Sequence, residues 1–193
     1  MNGVFFLRAN RRERSAELFS QQVHLLQCPY CNSAMTVHLS ASIICQNNHT
    51  FDLSRQGYLN VLTRPFKGNY DKSLFAARQR MITLEGLYAP LVEQIRTIIY
   101  EHMAVMTGPK VLDAGCGEGS LLHQIVRDTP MTGFGIDIAK EGIAAAAAQY
   151  TDQLWIVGDL SCSPYQAKVF DVILNLFSPS NYGEFNRLLT EDG

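Results

Sequence analysis

Cys28, Cys31, Cys45 and His49 fall in one short stretch with the spacing C-x2-C-x13-C-x3-H. A C-x2-C turn presents two thiolates to one ion, and a second turn can bring another pair into the same tetrahedron, so the quartet predicts a Zn²⁺ site. Four protein ligands leave no position for a reactive water, and the site is therefore expected to be structural. A redox dithiol is the rival reading of Cys28 and Cys31. Against it, no strand-helix-strand pattern surrounds them, and a second ligand pair follows at the right distance. Around the ligands, short β-type runs (Met35 to Leu39, Ser42 to Ile44, Thr50 to Leu53, Tyr58 to Leu62) alternate with turn residues. This is the pattern of a zinc-ribbon-like module. A module that small has little core, and metal binding would supply its folding energy, ~10–16 kcal/mol in zinc-finger peptides.

The 193-residue chain has a formal net charge of −2, which hides a division. Residues 1–80 hold ten Lys or Arg against four Asp or Glu, whereas residues 81–193 hold six against fourteen. A basic module joined to an acidic one suits a polyanion-reading part attached to a small-molecule domain, although ordinary surface charge gives the same count. The longest apolar runs, such as residues 4–7 and 143–148, fall far short of the ~20 residues that cross a bilayer. The first run is followed by Arg8, Arg11, Arg12 and Arg14 and not by a cleavage site, so no signal peptide is expected. Cys116 and Cys162 remain outside the quartet, and their placement suggests reduced thiols and a cytoplasmic location without a membrane partner.

Residues 1–24 show no clear period beyond a short amphipathic stretch through Leu18 and Val23 and are expected to form a poorly ordered basic extension. A helix is predicted to start near Asp71 or Ser73, with Leu74, the Arg78 stem, Met81 and Ile82 on one face. Gly86 and Pro90 interrupt it, and Leu91, Ile95, Ile98, Ile99 and Met103 define a second helix. From Lys110 onward, strand and helix alternate: strands at 110–114, 133–138, 154–158 and 169–177, with helices at 120–127 and 143–149 between them. Such βαβα alternation specifies a parallel, doubly wound sheet.

Residues 111–119, VLDAGCGEG, carry an apolar strand into a glycine-rich turn that opens a helix. Gly115, Gly117 and Gly119 allow close backbone approach and point amides at a ligand. A dinucleotide fingerprint would need Gly or Ala where Ser120 stands, and Asp113 is foreign to it. The order D-x-G-x-G-x-G followed by an acid at the end of the next strand, Asp137 in GFGIDIA, resembles a class I S-adenosylmethionine-dependent methyltransferase. That resemblance places Asp113 and Glu118 near the amino-acid end of the cofactor, Gly115 and Gly117 along its path and Asp137 at the ribose hydroxyls. Asp159 in VGDL falls at the adenine edge, with a loop-capping acid as its plainer reading.

The zinc quartet, the Tyr58 to Leu62 segment, AARQRMITLEGLYAPL, VLDAGCGEGS and DVILNLFSP together resemble the bacterial 23S rRNA guanine-N1-methyltransferase family. The resemblance implies an α/β fold: a Rossmann-like class I methyltransferase sheet with a small N-terminal zinc-ribbon-like module. It implies S-adenosylmethionine and Zn²⁺ as cofactors and a 23S rRNA hairpin as partner, and it leaves a homodimer open. Tyr88 falls where the family sets a tyrosine against the cofactor; packing between the two helices is the alternative. Asn175 and Phe177 are the catalytic candidates, at the position where nucleic-acid methyltransferases hold the target base, with core or loop packing as the counter-reading. No general base is identifiable. The expected organisation is an extension at 1–24, a zinc module at 25–63, a helical linker at 64–107 and a cofactor-binding domain at 108–193. Members of the family continue past the TEDG turn into a fifth strand, so a C-terminally truncated sheet of four strands, weakly active or inactive, is expected. The alternatives are a zinc-dependent RNA-binding fragment without catalysis, and a methyltransferase for a small molecule or protein.

Overall fold

The computed structural model describes residues 10–66, 68, 70–103 and 108–193, with Met103 described by its backbone alone. The expectations placed on residues 1–9, Lys67, Asn69 and the Met103 side chain lie outside the described residues. The alternation of strand and helix builds a parallel sheet of five strands. In chain order they are β4 (Leu59–Asn60), β5 (Lys110–Ala114), β6 (Thr132–Asp137), β7 (Leu154–Val157) and β8 (Val172–Leu174), arranged β4-β7-β6-β5-β8. Leu112 lies between Phe134 and Ile173 in register, and Ile156 lies between Ile136 and Leu59.

Successive side chains point to opposite faces of a strand, and the two cores follow that alternation. Val111, Trp155, Val157 and Leu174 face a core shared with helices α2 (Lys72–Thr83), α3 (Ala89–Met103), α4 (Ser120–Val126) and α5 (Lys140–Gln149). Leu112, Phe134, Ile136, Leu154 and Ile156 face the other way. There they meet helix α1 (Arg11–Gln22), helix α6 (Tyr182–Leu188) and a three-stranded antiparallel sheet of β1 (Met35–His38), β2 (Ser42–Cys45) and β3 (Thr50–Asp52). The zinc-ribbon-like module is thus the second covering layer of the parallel sheet, where a doubly wound fold usually places helices. Short backbone ties reinforce the packing: Gln27 N–H donates to Pro164 O at 2.9 Å and Gln166 N–H to Leu25 O at 2.8 Å.

Four expectations change. Residues 11–22 form an ordered helix: Asn10 and Glu13 make a reciprocal capping box, and Ser15, Ala16 and Phe19 are buried. The sheet expected to have four strands has five among the described residues, because Leu59–Asn60 of the zinc module pairs with β7 as an edge strand. On α2 the buried positions are Phe75 and Ile82, while Leu74 and Met81 are exposed. The run at 169–177 supplies only three strand residues, because the chain turns sharply after Leu174 and Phe177 takes a φ of 61°. The helix start is as expected, with Asp71 capping Leu74 N–H at 2.8 Å.

Candidate functional site

The zinc quartet converges. Its four ligand atoms lie within 4.8 Å of one another. Ligand bonds of ~2.3 Å to sulfur and ~2.0–2.1 Å to nitrogen in a tetrahedron separate the ligand atoms by roughly 3.5–3.8 Å. Cys31 Sγ and Cys45 Sγ are 3.7 Å apart, and His49 Nδ1 lies 3.4 Å, 3.5 Å and 3.4 Å from the sulfurs of Cys28, Cys31 and Cys45. The donor set and its spacing fit Zn²⁺ bound through Nδ1. Asn32 and Asn48 adopt φ of 55° and 62° beside the ligands, the left-handed geometry that asparagine tolerates in tight turns. The Ser33 hydroxyl, 3.1 Å from Cys31 Sγ, holds that thiol at about 5, and His49 N–H donates to Cys45 Sγ at 3.3 Å. Burial pushes the Cys28 thiol up to about 11, so its conversion to a thiolate depends on the ion.

The second site lies at the carboxyl ends of β5, β6 and β7, where open α/β sheets bind ligands. Gly115, Gly117 and Gly119 have φ of 88°, 58° and 76°. A Cβ at Gly115 would sit 2.3 Å from Ser178 Cβ, and one at Gly119 2.3 Å from the Trp155 ring. Glycine is therefore required on both counts, conformation and space. Beside this turn is a cavity of about 480 Å³ lined in part by Gly115, Gly117, Asp137, Asp159, Arg78 and Phe177. That volume is within the range of small-molecule sites.

Asp137 Oδ2 accepts from Gly117 N–H at 2.8 Å and Oδ1 from Ala139 N–H at 2.7 Å. Each oxygen retains a lone pair for a ligand hydroxyl. Burial raises the Asp137 carboxyl above the ordinary range, against the pull of those amides. Asp113 and Glu118 are buried, and Asp113 Oδ1 and both Glu118 carboxylate oxygens have no hydrogen-bond partner. Burial pushes Asp113 up to about 7 and raises Glu118, with Arg78 opposing in both cases. Arg78 Nε lies 3.2 Å from Glu118 Oε2 as an ion pair. Buried carboxyls next to a glycine cradle, Asp113 with no partner at Oδ1 and Glu118 held by an ion pair to Arg78, fit a cationic or ammonium-bearing ligand, and S-adenosylmethionine presents both an ammonium and a sulfonium.

Of the sequence candidates, Gly115, Gly117, Asp137, Asp159 and Phe177 line the cavity. Asp113 and Glu118 lie behind the turn. Asp159 Oδ1 also accepts from Ser161 N–H at 2.7 Å, so it caps its loop while lining the cavity. Asn175 points inward: its Nδ2 donates to Ala114 O at 3.2 Å and to Ser178 Oγ at 2.6 Å. It thereby anchors the loop that carries Phe177. Phe177 is 66% exposed, and its ring lies 5.0 Å from that of Tyr88, which packs at the edge of the helical core. Sequence reasoning missed Phe66, Tyr70, Phe75 and the cavity-facing end of Arg78. The available signal was an arginine three residues after Phe75 and four before Ile82, inside a buried helical stripe.

Sheet and glycine turn have the fold of a class I methyltransferase domain. Residues 111–193 match a methyltransferase domain, and residues 26–68 match the N-terminal zinc ribbon of RlmA. With both parts in this order, the chain is similar in sequence to 23S rRNA (guanine-N1)-methyltransferases. It is 42% identical over 174 residues to YxjB of Bacillus subtilis (strain 168), named for 23S rRNA guanine-N1 methylation, covering 88% of this chain and 62% of that protein. It is 30% identical to the 23S rRNA (guanine(748)-N(1))-methyltransferase of Streptomyces fradiae, covering 89% of this chain and 61% of that protein. The chain thus spans about three fifths of the length of these relatives. A solved structure described as an S-adenosyl-L-methionine-dependent methyltransferase from Methanococcus maripaludis superposes with a TM-score of 0.52. It covers 66% of this chain and 63% of its own at 21% identity, a likeness of fold.

Proposed function

We propose that this protein transfers a methyl group from S-adenosylmethionine to N1 of a guanine in a 23S rRNA hairpin. The observation that carries the reading is the alignment at 42% identity over 88% of the chain, which necessarily includes both the zinc quartet and the glycine turn. A methyltransferase sheet alone is compatible with many substrates; the zinc module in the same alignment to a protein named for 23S rRNA supports RNA as the substrate class.

The cofactor, when bound, supplies a methyl group on a sulfonium. The chain's own residues hold and orient. Asp137 accepts from ribose hydroxyls, Gly115 and Gly117 admit the ligand to the backbone, Asp113 and Glu118 lie behind the turn near its amino-acid end, and Asp159 meets the adenine edge. Phe177, exposed at the cavity and backed by Tyr88, offers a face on which the target base stacks, worth ~1–3 kcal/mol. Asn175 fixes the loop that presents it. An N1 that is paired in a hairpin must be opened or flipped before it reaches the methyl group. Alignment of the reacting atoms can lower the barrier by ~7–11 kcal/mol, so positioning is the main demand on the chain. No helix of the described residues is long and apolar enough to cross a membrane, and a cytoplasmic location suits the rRNA substrate. Incubation with labelled cofactor and 23S rRNA from cells lacking the modification tests the reading. Label is expected in 1-methylguanosine after nucleoside digestion, and label in another nucleoside, or none in RNA, contradicts it.

A further inference from the structure

Among the described residues, Arg78 is the one cationic residue lining the 480 Å³ cavity, and it lies against the glycine turn. Its Nη1 lies 3.4 Å from the point a Cβ on Gly117 would occupy, so the guanidinium rests against the turn itself. Its Nε pairs with Glu118 at 3.2 Å, and the side chain, 29% exposed, lines the cavity. A guanidinium carries five N–H donors in a planar fork. Among the described residues neither Nη group of Arg78 meets a protein acceptor, which leaves both for a ligand. Three carboxyls, Asp113, Glu118 and Asp137, lie close enough to feel this guanidinium and bias the local field against a phosphate. They favour a ligand whose own carboxylate is accompanied by positive charge, as in a zwitterionic amino-acid group.

Resting on the cofactor reading above, we propose that Arg78 binds the carboxylate of the cofactor's amino-acid end, while Asp113 and Glu118, buried behind the turn, favour the ammonium through their charge. Glu118 holds the guanidinium from behind, and the open fork meets the ligand. This makes α2, which precedes the methyltransferase-type strands, part of the cofactor site and fixes which end of the ligand lies at the glycine turn.

Calorimetry with three probes tests it: S-adenosylhomocysteine, its decarboxylated analogue, and 5′-methylthioadenosine, which lacks the whole amino-acid end. The parent protein is expected to prefer S-adenosylhomocysteine over the decarboxylated analogue by about tenfold to a hundredfold, the usual worth of hydrogen bonds to a charged group. Arg78→Leu should bring that ratio close to one while 5′-methylthioadenosine binds within about threefold of its parent affinity. Should Arg78→Leu bind none of the probes, Arg78→Lys decides, since it keeps the charge beside Glu118 but loses the fork. Its ratio must then fall at least about fivefold with 5′-methylthioadenosine binding retained. An undiminished ratio in the deciding variant, or loss of 5′-methylthioadenosine binding in both variants, overturns the assignment. A parent protein that binds none of the three probes refutes the cofactor reading itself, a separate result.

Discussion

At the scale of single residues, the site is specified by positions where a side chain is forbidden or a charge is buried. Gly115→Ala places a methyl group against Ser178 at a φ of 88°. It should weaken S-adenosylhomocysteine binding at least about tenfold, since left-handed geometry alone costs ~1–2 kcal/mol; unchanged affinity by calorimetry would contradict this geometry. Asp113 gives a prediction with a sign. Its carboxyl is pushed up to about 7 by burial, so between roughly pH 4 and pH 7 the folded state keeps a proton that the unfolded chain has released. Its contribution to stability is present at low pH and declines as pH rises through 7. Asp113→Asn should therefore raise the Tm of the ligand-free protein more at pH 8 than at pH 5.5, and equal shifts at both would rule the mechanism out. Asp137 and the glycines were legible in the sequence because their chemistry depends on order along one strand-turn-helix unit. Arg78 was not, because its role depends on a helix from elsewhere in the chain lying across that turn.

At the scale of elements, the surprises are the two pieces whose sequence carries little periodic signal. Helix α1 buries one large side chain, Phe19, among Arg11, Arg12, Arg14 and Glu17, so its apolar stripe is too thin to register as amphipathic. Its packing against β1 and β7 makes it a clasp between the two sheets. Phe19→Ala should cost ~3–5 kcal/mol, which lowers the Tm by roughly 2–4 °C per kcal/mol in a chain of this size. A shift under about 2 °C in calorimetric melting would mean that α1 does not hold the layers together. Strand β4 is two residues long, and its partner β7 lies almost a hundred residues away, a pairing that no local pattern announces. By contrast, β5, β6, β7 and the N-cap of α2 were readable, since apolar runs between turn signals and a capping aspartate are local features.

At the scale of the whole molecule, the zinc quartet and the methyltransferase sheet belong to one structure. Cys28 and Cys45 lie in the same buried cluster as Phe134, Ile136 and Ile156, so the metal staples the layer that covers one face of the sheet. Chelation should then unfold both parts in a single transition and abolish S-adenosylhomocysteine binding. A zinc module that melts alone, leaving ligand affinity unchanged, would show that the two are independent. The sequence suggested a basic module joined to a separate domain; the shared core was hidden because each half was patterned by its own rule, ligand spacing in one and βα alternation in the other.

The central proposal is that this one core takes part in methylation of guanine N1 in 23S rRNA. Primer extension on 23S rRNA treated with the protein and S-adenosylmethionine tests it most directly, because a methyl group on N1 blocks base pairing and stops the polymerase. The prediction is a single new stop at a hairpin guanine, present with the parent protein and lost with Asp137→Ala. No stop, or a stop that persists without the Asp137 carboxylate, contradicts the account.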